Sequence, residues 1–130
     1  MNSIYTNPHV IYFDDDFDED LTDEHINKLK ELTEKGHTEL MLPKGGYCFD
    51  IERLAELDKL EILYLVNYHR DIVKLPPNLK IIDLGNGFNN RITFPDSIET
   101  IKIGFNFNQK IEKYPKNLKH IDFGKKFNQR

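Results

Sequence analysis

Three stretches in the C-terminal half of this chain are copies of one another. They run from Leu75 to Ile92, from Phe94 to Ile111 and from Tyr114 to Arg130. Pro76, Pro95 and Pro115 correspond, as do Gly85, Gly104 and Gly124. So do the pairs Phe88-Asn89, Phe107-Asn108 and Phe127-Asn128. The prolines are 19 and then 20 residues apart. A unit of that length holds one short strand and one return segment. It cannot bury its apolar side alone, so neighbouring units must stack into a continuous core. Strands that recur once per coil then lie parallel. The duplicated chain therefore has few folds open to it besides a solenoid.

The pattern reaches back in weaker form. Leu60-Glu61-Ile62-Leu63-Tyr64-Leu65 has leucine-rich spacing 19 residues before Leu79–Leu84, with Val66 in place of the glycine. On the same frame Val73 and Leu75 match Ile92 and Phe94. Leu40-Met41-Leu42 and Val10-Ile11-Tyr12-Phe13 read as two earlier strands. Between them, Asp23–Lys35 is an expected helix, with Ile26, Leu29 and Leu32 on one face, Thr22 as N-cap and Gly36 as the stop. Asp50–Leu57 is a second expected helix, and Pro43-Lys44-Gly45-Gly46 a loop. In the C-terminal half each return begins with proline, which blocks a ladder bond and forbids a long helix. Extended or 3-10 returns are expected there.

Together these features predict an α/β solenoid, a leucine-rich-repeat-like horseshoe with about six parallel strands and helical returns in its N-terminal half. Residues 1–130 form a single domain. It comprises a strand and helical cap (1–37), irregular units (38–74) and three close repeats (75–130).

Alternation assigns side chains to faces. Leu63/Leu65, Ile82/Leu84, Ile101/Ile103 and Ile121/Phe123 are expected inward, with Leu60, Leu79, Ile98 and Leu118 leading the same set. Two columns face the concave side: Glu39, Ile62, Ile81, Thr100, His120, and beside it Met41, Tyr64, Asp83, Lys102, Asp122. The glycines mark close coil contact or positive φ. The phenylalanines are expected to stack as an internal spine, and the asparagines to bond turn backbone between coils.

The repeated motifs resemble the FNIP repeat, a leucine-rich-repeat relative found mainly in social amoebae and in giant viruses of amoebae. The shared features are Pro-x-[Asn/Ser]-[Leu/Ile], Ile-x-apolar-Gly and Phe-Asn-[Asn/Gln]-x-Ile, at Pro76–Ile92, Pro95–Ile111 and Pro115–Gln129. Arg91 and Lys110 stand where family members often carry proline. The resemblance implies a protein-interaction repeat without catalytic residues. Some members resemble F-box proteins at their N-terminus, which implies recruitment of targets to a ubiquitin ligase, but residues 1–37 are too short for that three-helix module.

A single cysteine, Cys48, leaves no intramolecular disulfide. Together with the absence of a signal-peptide pattern and of any long apolar run, this predicts a cytoplasmic protein, in the host cytoplasm if viral. The formal charge of −4 is uneven. Residues 1–60 hold 15 acids and 6 Lys/Arg, a net of −9; residues 61–130 hold 7 and 12, a net of +5. That asymmetry suits an acidic partner for the second half, or head-to-tail meeting of copies.

No cofactor motif or zinc-like histidine interval is present. The run Asp14–Asp20 fails the EF-hand spacing and reads as a solvated loop near a helix N-terminus. His9, His25, His37, His69 and His120 have no nucleophile partnered with them, and Cys48 reads as a small apolar residue. Lys110, Lys113, Lys116, Lys119, Lys125 and Lys126 fall mostly in returns, so specific nucleic-acid reading is not expected.

The expectation is a non-enzymatic module that binds another protein through Met41, Ile62, Tyr64, Val66, Ile81, Asp83, Lys102, His120 and Asp122 on the concave sheet. Two alternatives stay open. One is self-association through a C-terminal repeat that lacks a polar cap. The other is a substrate adaptor of a ubiquitin ligase.

Overall fold

The computed structural model describes residues 4–14, 17, 20–43 and 50–123. Among the described residues there are seven strands: β1 (Ile4–Asn7), β2 (Val10–Phe13), β3 (Glu39–Met41), β4 (Ile62–Tyr64), β5 (Ile81–Asp83), β6 (Thr100–Lys102) and β7 (His120–Asp122). They form one sheet in chain order. β1 and β2 are an antiparallel hairpin turned at Pro8-His9, and every later pairing is parallel. The chain is a parallel-strand β-solenoid of about four turns.

An α-helix, α1 (Asp23–Glu34), lies in the connection between β2 and β3. The Thr22 hydroxyl accepts from the His25 N–H, while His25 Nδ1 accepts from the Thr22 N–H at 3.0 Å. This is a capping box with histidine in the place usually held by Glu or Gln. At the other end Gly36, at φ +100°, donates to the Thr33 carbonyl and His37 to the Leu32 carbonyl. Those two bonds make a Schellman stop. Ile26, Leu29 and Leu32 are buried.

Every second residue of the sheet enters the core. Ile11, Leu40, Leu63, Ile82 and Ile101 occupy one rung each and are fully buried. Leu60, Leu79 and Ile98 sit just before their strands, equally buried. Each is set by a turn: Leu79 N–H donates to Pro76 O, Ile98 to Pro95 O and Leu118 to Pro115 O. Leu60 makes the same bond to Leu57 O, so the turn does not depend on proline. The returns between β4 and β7 hold no helix.

The Phe88 and Phe107 rings stack 5.9 Å apart and 7° from parallel, both fully buried. Adjacent coils are also pegged by polar side chains. Asn89 Oδ1 accepts from the Asn108 N–H at 2.8 Å, Asn86 Oδ1 from Phe105, Asp71 Oδ1 from Arg91 and Asp96 Oδ1 from Lys116. Each bond gives a backbone donor of the irregular return an acceptor on the preceding coil. Gly85, at φ +73°, lies against the Val66 backbone, and Gly104 against that of Gly85 and Asn86. No side chain fits at either contact.

Four sequence expectations need correction. Asp50–Leu57 is not an α-helix: only Glu52–Glu56 is helical, as a 3-10 stretch. Its cap residue Ile51 makes no side-chain cap bond, and Arg53 pairs instead with Asp23 at 2.8 Å and Glu56 at 2.9 Å. Val73 does not match Ile92. Ile72 bridges Ile92 and is buried, whereas Val73 is 57 % exposed. Phe123 is 48 % exposed rather than inward. Its counterparts Leu65, Leu84 and Ile103 are held under the following strand, and no described strand follows β7. β1 was not foreseen. Cys48, Gly124, Phe127, Asn128, Lys125, Lys126 and part of the Asp14–Asp20 run lie outside the described residues.

Candidate functional site

The sheet has one face on the core and one that is open. Parallel register places Val10, Glu39, Ile62, Ile81, Thr100 and His120 in one open column. Tyr12, Met41, Tyr64, Asp83, Lys102 and Asp122 form the second. With about 4.8 Å between rungs, each column runs roughly 24 Å. The face divides by chemistry. Val10, Tyr12, Met41, Ile62, Tyr64 and Ile81 make a half-buried apolar zone on β2–β5. Lys102, His120 and Asp122 are exposed on β6 and β7.

At the centre of the apolar zone the Tyr64 hydroxyl donates to Glu39 Oε1 at 3.0 Å. Partial burial, this bond and the nearby Glu39 and Asp83 charges raise the phenol above its ordinary pKa, because all of them disfavour a tyrosinate. The bond fixes the ring on the sheet and satisfies its polar end. Asp83 is half committed: its Oδ1 accepts from the Gly85 N–H at 3.0 Å, shaping the turn after β5. Lys102 stands between Asp83 and Asp122 in register. Among the described residues no ion pair joins it to either.

All nine residues expected on this face are accessible. Eight lie in the two columns. Val66 is beyond the end of β4, in the turn, with φ +61°. That is a left-handed conformation a β-branched residue rarely adopts. Val10, Tyr12 and Tyr5 were missed. Tyr5 is 37 % exposed and stacks on Tyr12 with ring centroids 5.4 Å apart, extending the apolar zone onto β1. The signal for Tyr12 was available in the alternation of Val10–Phe13; that for Tyr5 required the hairpin.

The return side is less regular. From Ile72 to Pro76 is four residues, from Ile92 to Pro95 three, and from Ile111 to Pro115 four. The short middle coil bridges its predecessor through Ile72 and Ile92. A groove of about 520 Å³ runs across this coil and its neighbours, lined by residues 71–73 and 91–94 and, from the next coil, by Gln109, Lys110, Glu112 and Lys113. Among the described residues no three His, Cys, Asp or Glu side chains are grouped to hold a metal ion. None of the described helices is long and apolar enough to cross a membrane.

The fold and site define a short β-solenoid with one open, chemically zoned sheet face. No protein-family model, no curated protein and no solved structure matches the chain.

Proposed function

We propose that this chain is a non-enzymatic protein-binding module of leucine-rich-repeat type, and that its open sheet face is the binding surface. The carrying observation is the division of that face. A continuous apolar zone (Tyr5, Tyr12, Met41, Ile62, Tyr64, Ile81) adjoins Lys102, His120 and Asp122, whose charged or polar ends have no ion-pair partner among the described residues. Apolar anchors flanked by solvated charges are the composition of a protein interface, with burial supplying affinity and charge supplying register. Tyrosine is enriched among the residues that dominate such interfaces. The resemblance of Pro76–Ile92 and its two copies to FNIP repeats favours the same class.

The test is capture of partners on the immobilised full chain, read by mass spectrometry, against an Ile62→Arg/Tyr64→Arg variant whose circular dichroism matches wild type. Loss of the wild-type partner set is expected. An unchanged set retires this reading. Recovery only of the chain itself would favour self-association. Recovery of ubiquitin-ligase subunits would favour an adaptor role.

A further inference from the structure

The short middle coil leaves a strand edge unfinished. Ile72 uses both its backbone groups on this coil: its N–H donates to Arg91 O and its carbonyl accepts from the Thr93 N–H, each at 2.8 Å. In a parallel bridge the partner's own N–H and C=O then point to the opposite side. For Ile92 that side faces the following coil, whose Gln109, Lys110, Glu112 and Lys113 line the groove together with Ile92. The next coil does not come up to meet them: among the described residues neither the Ile92 N–H nor its carbonyl has a protein hydrogen-bond partner. The cause is the one-residue difference in coil length, which puts Glu112 and Lys113 where the middle coil has Thr93 alone.

The groove is also charged in one direction. Arg91, Lys110 and Lys113 line it and are exposed, and none has a carboxylate within ion-pair distance among the described residues. Of the two acids present, Asp71 is engaged at one oxygen by the Arg91 N–H at 3.0 Å and the Asn90 amide at 3.4 Å. Glu112 is the remaining counter-charge. Val73 and Phe94 supply an apolar lining.

The geometry points to a second binding site in this groove, separate from the open sheet face, that takes an extended acidic peptide by strand addition at Ile92. A strand-adding peptide presents its own N–H and C=O to a free edge and puts alternate side chains into flanking pockets. Alternating carboxylates would meet Arg91, Lys110 and Lys113, and the apolar residues between them would meet Val73 and Phe94. The site uses residues that the open face does not, so each can fail without the other.

The test uses the full chain and a labelled hexapeptide alternating glutamate and valine. Binding is followed by anisotropy and amide hydrogen exchange by NMR. Saturable binding with Ile92 exchange slowed about tenfold or more at saturation is expected, since bound-state protection tracks occupancy. Arg91→Glu/Lys110→Glu, both at exposed positions, should weaken binding about tenfold or more through charge reversal. N-methylation of the peptide backbone should abolish binding. Any of four results overturns the site: no binding up to about 1 mM peptide, binding with Ile92 exchange unchanged, equal binding of the N-methylated peptide, or preference for a single-stranded oligonucleotide over the peptide.

Discussion

Replacing Gly85 with alanine tests how tightly the coils are packed. Two terms oppose the substitution. Gly85 sits at φ +73°, where an L side chain costs about 1–2 kcal/mol. A Cβ there would also overlap the Val66 carbonyl oxygen and lie 2.8 Å from the Val66 carbonyl carbon, all of it backbone that cannot swing aside. Opening the coils to relieve that contact strains the Leu65-to-Asp83 bond next to it (2.9 Å), an overpacking cost of about 1–3 kcal/mol. Against these, alanine restricts the unfolded chain and returns about 0.4–1 kcal/mol. The net is a destabilisation of about 2–4 kcal/mol, a large part of a stability of about 5–15 kcal/mol. Gly36→Ala is the internal control. Gly36 has φ +100° but open space around its would-be Cβ, so it reports the conformational term without the contact. Urea unfolding followed by far-ultraviolet circular dichroism measures both. If Gly85→Ala costs no more than Gly36→Ala, the close-contact argument is wrong.

Three further outcomes are expected. Val66→Gly releases a left-handed β-branched residue and should leave stability unchanged or raise it by up to about 1 kcal/mol, despite the flexibility of glycine, as read by thermal unfolding. Asn89→Ala removes the acceptor for the Asn108 N–H and the Gln109 amide and should cost about 1 kcal/mol in urea unfolding. The raised pKa of Tyr64 gives a pH dependence of defined sign. The folded state holds the phenolic proton more tightly than the unfolded chain. The associated stability is therefore full below the unfolded tyrosine pKa near 10 and falls as pH rises through the folded value. Ultraviolet titration should show a late-ionising component that Tyr64→Phe removes.

The strands were legible because a repeated frame and a period of two agree. Leu63, Ile82 and Ile101 each follow the same repeated turn and alternate with open residues, and all are buried. The helix was legible from its ends, Thr22 and Gly36, as much as from its face. What failed had a local cause. A strand frame extended rigidly through the return puts Val73 opposite Ile92, but Val66 to Ile72 is six residues where Gly85 to Ile92 is seven. That single residue moves the bridge from Val73 to Ile72. β1 belongs to no repeat and places only Ile4 in the core, so periodicity had nothing to register. Alternation separates the open face into two columns, yet the Tyr64–Glu39 bond joins different columns on neighbouring strands and depends on side-chain reach, which alternation does not encode. The groove at Ile92 was written in the unequal Ile-to-Pro spacings, but its meaning depended on knowing which backbone groups were already used.

The central claim, that a partner protein docks on the open face, is tested most directly by site-specific photocrosslinking. A benzophenone side chain at Ile81, in the middle of the open face, should crosslink a discrete partner in cells, while one at Glu31, exposed on α1, should not. Crosslinking from Glu31 to the same partner with none from Ile81 would contradict the account.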